Sequence, residues 1–131
     1  MDPQRLTAIP LFSQLSAEEA KRLAAFATET SVPEGEFLVR EGDFSTELLA
    51  IEEGTADVLQ GGTKIASLKP GDLIGEIGLL EGRARSADVI ASSPMLLIKL
   101  THWEIRRMSR DTLRRIEALI EERQRGADAE A

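Results

Sequence analysis

Residues 75–89 read GEIGLLEGRARSADV. Gly75 and Gly78 flank Glu76 and Ile77, Leu79 and Leu80 follow, and Arg83, Arg85 and Ser86 arrive a few residues later. Gly75 permits backbone conformations closed to other residues, and Glu76 to Leu80 can make one helical turn. The first turn of a helix presents unpaired N–H groups and a partial positive charge, which suit an anion. Arg85, nine residues after Glu76, can return across the mouth of that turn, where a guanidinium can grip two phosphate oxygens. Ser86 adds a hydroxyl donor. A phosphate repels Glu76, but a carboxylate is the right acceptor for a sugar hydroxyl, so a sugar phosphate accounts for the whole set. The same residue types also describe a surface salt bridge or a solvated loop. On residue types alone the surface reading is the favoured one.

The chain around this stretch is punctuated by turn signals: PEGE at 33–36, EGD at 41–43, EEG at 52–54, GG at 61–62 and PGD at 70–72. Between them lie the strand-like pieces FLVR, ELLAI, ADVLQ, TKIASL, SADVIA and PMLLIKL. Many short strands at this spacing predict a β-sandwich or small barrel, and Gly61-Gly62 predicts a two-residue hairpin. The expected fold is mainly β with flanking helices, an antiparallel β-roll of the jelly-roll kind.

Helical periods bound this region on both sides. In LSAEEAKRLAAFAT, Ser16 is an N-cap, Glu19 completes a capping box, and Leu15 can staple against Ala20. Ala20, Leu23, Ala24 and Ala27 follow helical spacing on one face. After Leu100, Thr101 with Glu104 forms a second capping box, opening a short helix through Met108. A further helix starts at Ser109 or Asp111 and carries Leu113, Ile116, Leu119 and Ile120 on one stripe, with Asp111–Arg115 and Glu121–Arg125 as i,i+4 pairs. Gly126 ends it, and ADAEA is a frayed tail. No internal repeat or low-complexity linker interrupts the chain. A single domain over 1–131 is expected, with an N-terminal helical part to about residue 30, a β-roll over 31–100, C-terminal helices over 101–125 and a tail over 126–131.

Composition narrows the function classes. The 131 residues carry 16 Lys and Arg against 23 Asp and Glu, a net charge of −7, which argues against nonspecific nucleic-acid binding, since that needs a basic face. Cysteine is absent and His102 is the single histidine, so neither a disulfide framework nor a thiolate or histidine-rich metal site is expected. The N-terminus lacks the basic and apolar regions of a signal peptide, and no apolar run is long enough to span a membrane. A cytoplasmic location follows as the default.

GEIGLLEGRARSADV resembles the phosphate-binding cassette of cyclic nucleotide-binding domains, whose pattern is G-E-aliphatic-small-L-aliphatic, a short spacer, then R-[S/T/A]-A. VPEGEFLVREGD is similar to that family's P-x-G-x-x-L…G-D strand pair, on Pro33, Gly35, Leu38, Gly42 and Asp43. IEEGTADV resembles its I-x-x-G-x-x-x-V segment, and LKPGDLIGE its approach to the cassette. The resemblance covers about Leu11 to Leu100. Ile74 stands where an aromatic often precedes G-E, and ELLAI lacks the usual aromatic before isoleucine; both changes keep an apolar core.

The resemblance implies roles for particular residues. Glu76 would accept the ribose 2′-hydroxyl and Arg85 would bind the cyclic phosphate. Ser86 would add a phosphate contact, backbone N–H groups near Ile77 and Ala87 would complete the cradle, and Gly75 would let the backbone approach the ligand. In this family the final helix closes over the base, and alignment with catabolite activator-like relatives puts Arg123 at the helix arginine that reaches the ligand. Ala127 and Asp128 fall where those relatives place hydroxyl-bearing adenine contacts, so the base is left unspecified. Ser86 in place of threonine favours cAMP over cGMP by analogy.

The expected function is a non-catalytic regulatory module with a cyclic nucleotide as ligand and no further cofactor. No nucleophile–base pair or metal set accompanies the cassette, which sets aside enzymes on similar rolls. Ending at Ala131, the chain leaves no room for a helix-turn-helix. The alternatives are a regulatory fragment of a transcription factor, channel, transporter or kinase, and an interaction module that keeps the fold without ligand. Arg106, Arg107, Arg110, Arg114 and Arg115 read as a solvated helix face, Arg83 and His102 as surface. Trp103 either packs the short helix on the roll or stacks on a base. The stripe of Leu113, Ile116 and Ile120 either covers the roll or pairs with a second copy or a partner protein.

Overall fold

The computed structural model describes residues 1–43, 47–74 and 87–101, and places Arg114 and Ala118 in helix. Helix α1, Pro3–Thr7, is capped by the Asp2 side chain, which accepts from the Gln4 N–H at 2.9 Å, and has proline in its first turn. A 3₁₀ turn follows at Pro10–Phe12. Neither was among the elements read from the sequence. Helix α2, Ala17–Phe26, begins with the expected capping box: Ser16 Oγ accepts from the Glu19 N–H at 3.1 Å, and Glu19 Oε1 accepts from the Ser16 N–H at 2.9 Å. Leu15 and Ala20, the expected staple pair, are both buried in one apolar cluster.

The strands are β1 (Thr28–Val32), β2 (Phe37–Val39), β3 (Glu47–Glu53), β4 (Ala56–Gln60), β5 (Thr63–Leu68), β6 (Leu73–Ile74), β7 (Asp88–Ala91) and β8 (Met95–Thr101). They form two antiparallel four-stranded sheets, ordered β1-β8-β3-β6 and β2-β7-β4-β5. This is the β-roll that the turn spacing predicted. At the expected hairpin Gln60 pairs with Thr63, and Gly61 and Gly62 take φ of 58° and 83°, the two left-handed positions of a type I′ turn. β1 and β6 add to the strands read from the sequence.

Alternation along β3 and β8 divides the core in two. Leu48, Ala50, Ile98 and Leu100 face the N-terminal helices and cluster with Leu6, Phe12 and Leu23. Leu49, Ile51, Met95 and Leu97 face the second sheet and cluster with Val32, Ala56, Ile74, Val89 and Ala91. The period of two sends successive side chains to opposite faces, so one strand serves both clusters. Above the helix side, Arg5 on α1 reaches Glu52 on β3 with both Nε (2.9 Å) and Nη2, and Glu29 on β1 with Nη2 at 3.3 Å. Hydrogen bonding to Glu52 raises the guanidinium pKa above its ordinary value. This fork ties the N-terminal helix to two strands of the first sheet.

Candidate functional site

The site is approached through the PGD turn. Gly71 takes φ of 95° after Pro70, the type II arrangement that glycine suits at that place. The turn closes through Asp72 N–H to the Lys69 carbonyl (3.0 Å) and Lys69 N–H to Asp72 Oδ2 (2.9 Å). It is stitched to β3: Gly71 N–H donates to the Ile51 carbonyl at 2.8 Å, and Ile51 N–H donates to the Asp72 carbonyl at 3.0 Å. Leu73 and Ile74 then pair with Ala50 and Leu49, and both are buried. The chain therefore leaves residue 74 from a fixed place on the first sheet.

It returns on the second sheet. Ala87 is 8% exposed, and the next four residues form β7 between β2 and β4. Val89 pairs with Val39 on one side and Val58 on the other, and belongs to the core between the sheets. Beyond Val39 the ladder to β2 gives way to a side-chain contact: Asp88 Oδ1 accepts from the Glu41 N–H at 2.7 Å. At the far end of β7, Gly35 N–H donates to the Ala91 carbonyl (2.8 Å) and Ala91 N–H to the Glu36 carbonyl (2.9 Å). The two turns read as the motif of the strand pair, at 33–36 and 41–43, thus hold the two ends of β7.

Residues 75–87 consequently join the two sheets, with buried apolar residues at each end. Ala87 is the predicted site residue among those described, and it sits where the connection rejoins the roll. Gly75, Glu76, Ile77, Arg85, Ser86 and Arg123 lie outside the described residues, as do His102, Trp103 and the stripe of Leu113, Ile116 and Ile120. Arg114 is exposed, as a solvated helix face requires. Among the described residues no group of three or more His, Asp or Glu is arranged to hold a metal, and no helix is long and apolar enough to cross a membrane. The contact of Asp88 with Glu41 and the fork of Arg5 were not read from the sequence. Each joins residues far apart in the chain, and no local spacing signals it.

The profile of the cyclic nucleotide-binding domain matches residues 29–112, from β1 past the end of β8. The chain belongs to the cyclic nucleotide-binding domain family. It is similar to regulatory subunits of cAMP-dependent protein kinases. It is 29% identical over 128 residues to the cAMP-dependent protein kinase regulatory subunit of Aspergillus niger, covering 96% of this chain and 29% of that one. Among solved structures it is similar to the regulatory subunit of a cAMP-independent protein kinase A from Trypanosoma brucei (27% identity, TM-score 0.82, 93% of this chain and 44% of that one). A variant of that subunit with three substitutions, one introducing an arginine, is described as bound to cAMP in its A site. The catabolite activator protein of Thermus thermophilus is 30% identical, with a TM-score of 0.74 over 92% of this chain and 61% of that one. This chain spans 21% to 29% of the length of the fungal kinase regulatory subunits it matches.

Proposed function

We propose that this domain binds cAMP in preference to cGMP, with the ligand held by the connection between β6 and β7. The observation that carries the reading is an intact cassette sequence, Gly75 to Ala87, falling on the link between two anchored sheet ends. In this reading Arg85 and Ser86 bind the cyclic phosphate, with backbone N–H groups near Ile77 and Ala87. Glu76 accepts the ribose 2′-hydroxyl, and Gly75 gives the backbone room. Arg123 closes over the base. No further cofactor or metal is required, and the ligand is sensed without being chemically changed.

Signalling is a population shift. The ligand binds the closed form better, drawing the cassette inward and the helices after Thr101 over the base. The output passes to a partner protein or a second copy through those helices, in the cytoplasm, and not by direct contact with DNA. The trypanosome subunit described as cAMP-independent favours a second reading, in which this chain takes another ligand or none. Against it stands the cassette sequence of this chain, which carries both Glu76 and Arg85 at the positions the family pattern requires.

Calorimetric titration with cAMP and cGMP tests the proposal. The wild-type domain should bind cAMP more tightly, and Arg85→Ala should weaken it by at least about 30-fold with the melting temperature kept, because a charge-assisted phosphate contact is lost. Absence of saturable binding to either nucleotide at millimolar concentration refutes it. Glu76→Gln should weaken cyclic ribonucleotides while barely affecting 2′-deoxy analogues; equal loss for both removes the ribose role.

A further inference from the structure

The second sheet ends in an open edge at β5. Among the described residues this is the longest edge strand of the roll, six residues against five in β1, three in β2 and two in β6. Thr63 to Ser67 are all exposed, and the strand carries Thr and Ile, which favour β structure. An edge of this length and composition is a template for pairing with another chain. Its one charged residue, Lys64, does little to prevent this, because Nζ turns over β4 to Asp57 Oδ1 at 3.2 Å. The ladder to β4 is broken at one place. Leu59 pairs with Lys64 and Val58 with Ala66, so Ile65 has no partner across the strand.

We propose that this extra residue keeps β5 from pairing edge to edge with a second copy of the domain. The flanks of a two-residue hairpin form a hydrogen-bonded pair, here Gln60 and Thr63, and the pairs alternate from there. Lys64 therefore directs its N–H and C=O to the open edge. Without the bulge, the next residue to do so would lie two positions on. The extra residue moves that role to Ser67, opposite Asp57 and three positions on. A regular strand offers its groups at every second residue, so it can meet Lys64 or Ser67 but not both. A bulge also adds local twist, which turns the edge away from a flat partner. Deleting Ile65 leaves every other β4–β5 pair in place and brings Lys64 and Ser67 into even spacing. Two such edges match about a two-fold axis, with Lys64 of each opposite Ser67 of the other and no like charges facing.

The test compares the whole chain with its Ile65 deletion by light scattering over a range of concentration, with amide exchange as the second readout. In wild type the Lys64 and Ser67 amides should exchange rapidly; protection of both would overturn the placement of the open edge. Deletion of Ile65 should raise the mass to about twice that of wild type or more as concentration rises, and slow exchange at both amides. Ser67→Pro, which removes one outward N–H and is tolerated on an edge strand, should return the deletion variant to the wild-type mass. A folded deletion variant with the wild-type mass overturns the proposal, as does an association that Ser67→Pro leaves intact. Lys64→Val in the otherwise intact chain gives a test even where the deletion variant fails to fold. Its mass should stay at the wild-type value. A rise in mass with slowed exchange at Ser67 would make the lysine the guard, and overturn the role of the bulge.

Discussion

The two sheets of the roll are built from similar residues and live in different surroundings. The first, β1-β8-β3-β6, is covered on one face by the N-terminal helices and on the other by the second sheet, so Leu48, Leu49, Ala50 and Ile51 are buried in succession. Among the described residues the second, β2-β7-β4-β5, is covered on one face, by the first sheet. Its β7 alternates half-buried and buried residues, and on its edge strand β5 every residue from Thr63 to Ser67 is exposed, Ile65 by 55%. The difference teaches how the site is held. The chain leaves residue 74 on the doubly covered sheet and rejoins the second at Ala87, just before Asp88, whose Oδ1 accepts from the Glu41 N–H.

The largest expected effect breaks the first sheet. Leu48→Ala and Ile51→Ala, both fully buried, should each cost about 2–5 kcal/mol in urea unfolding. Because they point into opposite clusters and lie about 10 Å apart along the strand, the double change should add to within about 0.5 kcal/mol. Strong non-additivity would show that the two clusters act as one. A smaller effect sharpens the role of the helices: Arg5→Ala should lower the melting temperature, and the gap from wild type should narrow as salt is raised, since partly exposed ion pairs are screened. A gap indifferent to salt would assign the effect to packing of the arginine stem instead. The smallest lies on the second sheet's edge, where Ile65→Thr should change stability by no more than about 0.5 kcal/mol. A loss comparable to that of Ile51→Ala would mean that β5 is covered by something other than this chain.

The same contrast explains which elements were legible beforehand. β3, β4, β5, β7 and β8 carry apolar runs or alternations between turn residues, and each was visible as a strand. β1 was not, because TETSV holds one buried residue, Val32, and its other four are polar, three of them exposed and Thr30 half-buried. It becomes a strand by pairing with β8, from Thr28 opposite Lys99 to Val32 opposite Met95. β6 is two residues long, too short for any period, and is defined by Leu49 and Ala50 across from it. Helix α1 escaped notice for the same reason: its five residues hold a single buried side chain, Leu6, and it stays put through that residue and Arg5.

The sequence by itself determined the family and the roll, because both are written in local spacing: turn glycines, capping boxes, and a glycine-framed run with a glutamate and an arginine nine positions apart, on which the proposed ligand contacts rest. Tertiary structure alone decided that β6 and β7, which flank residues 75–87, belong to different sheets, that a fork from Arg5 binds the first helix to β1 and β3, and that Asp88 meets Glu41 across 47 positions of chain. The physical reason is common to these contacts. A cap or a tight turn is closed by groups a few residues apart, and residue type is enough to recognise it. A carboxylate that accepts a distant N–H looks like any other surface acid until folding brings the strands together.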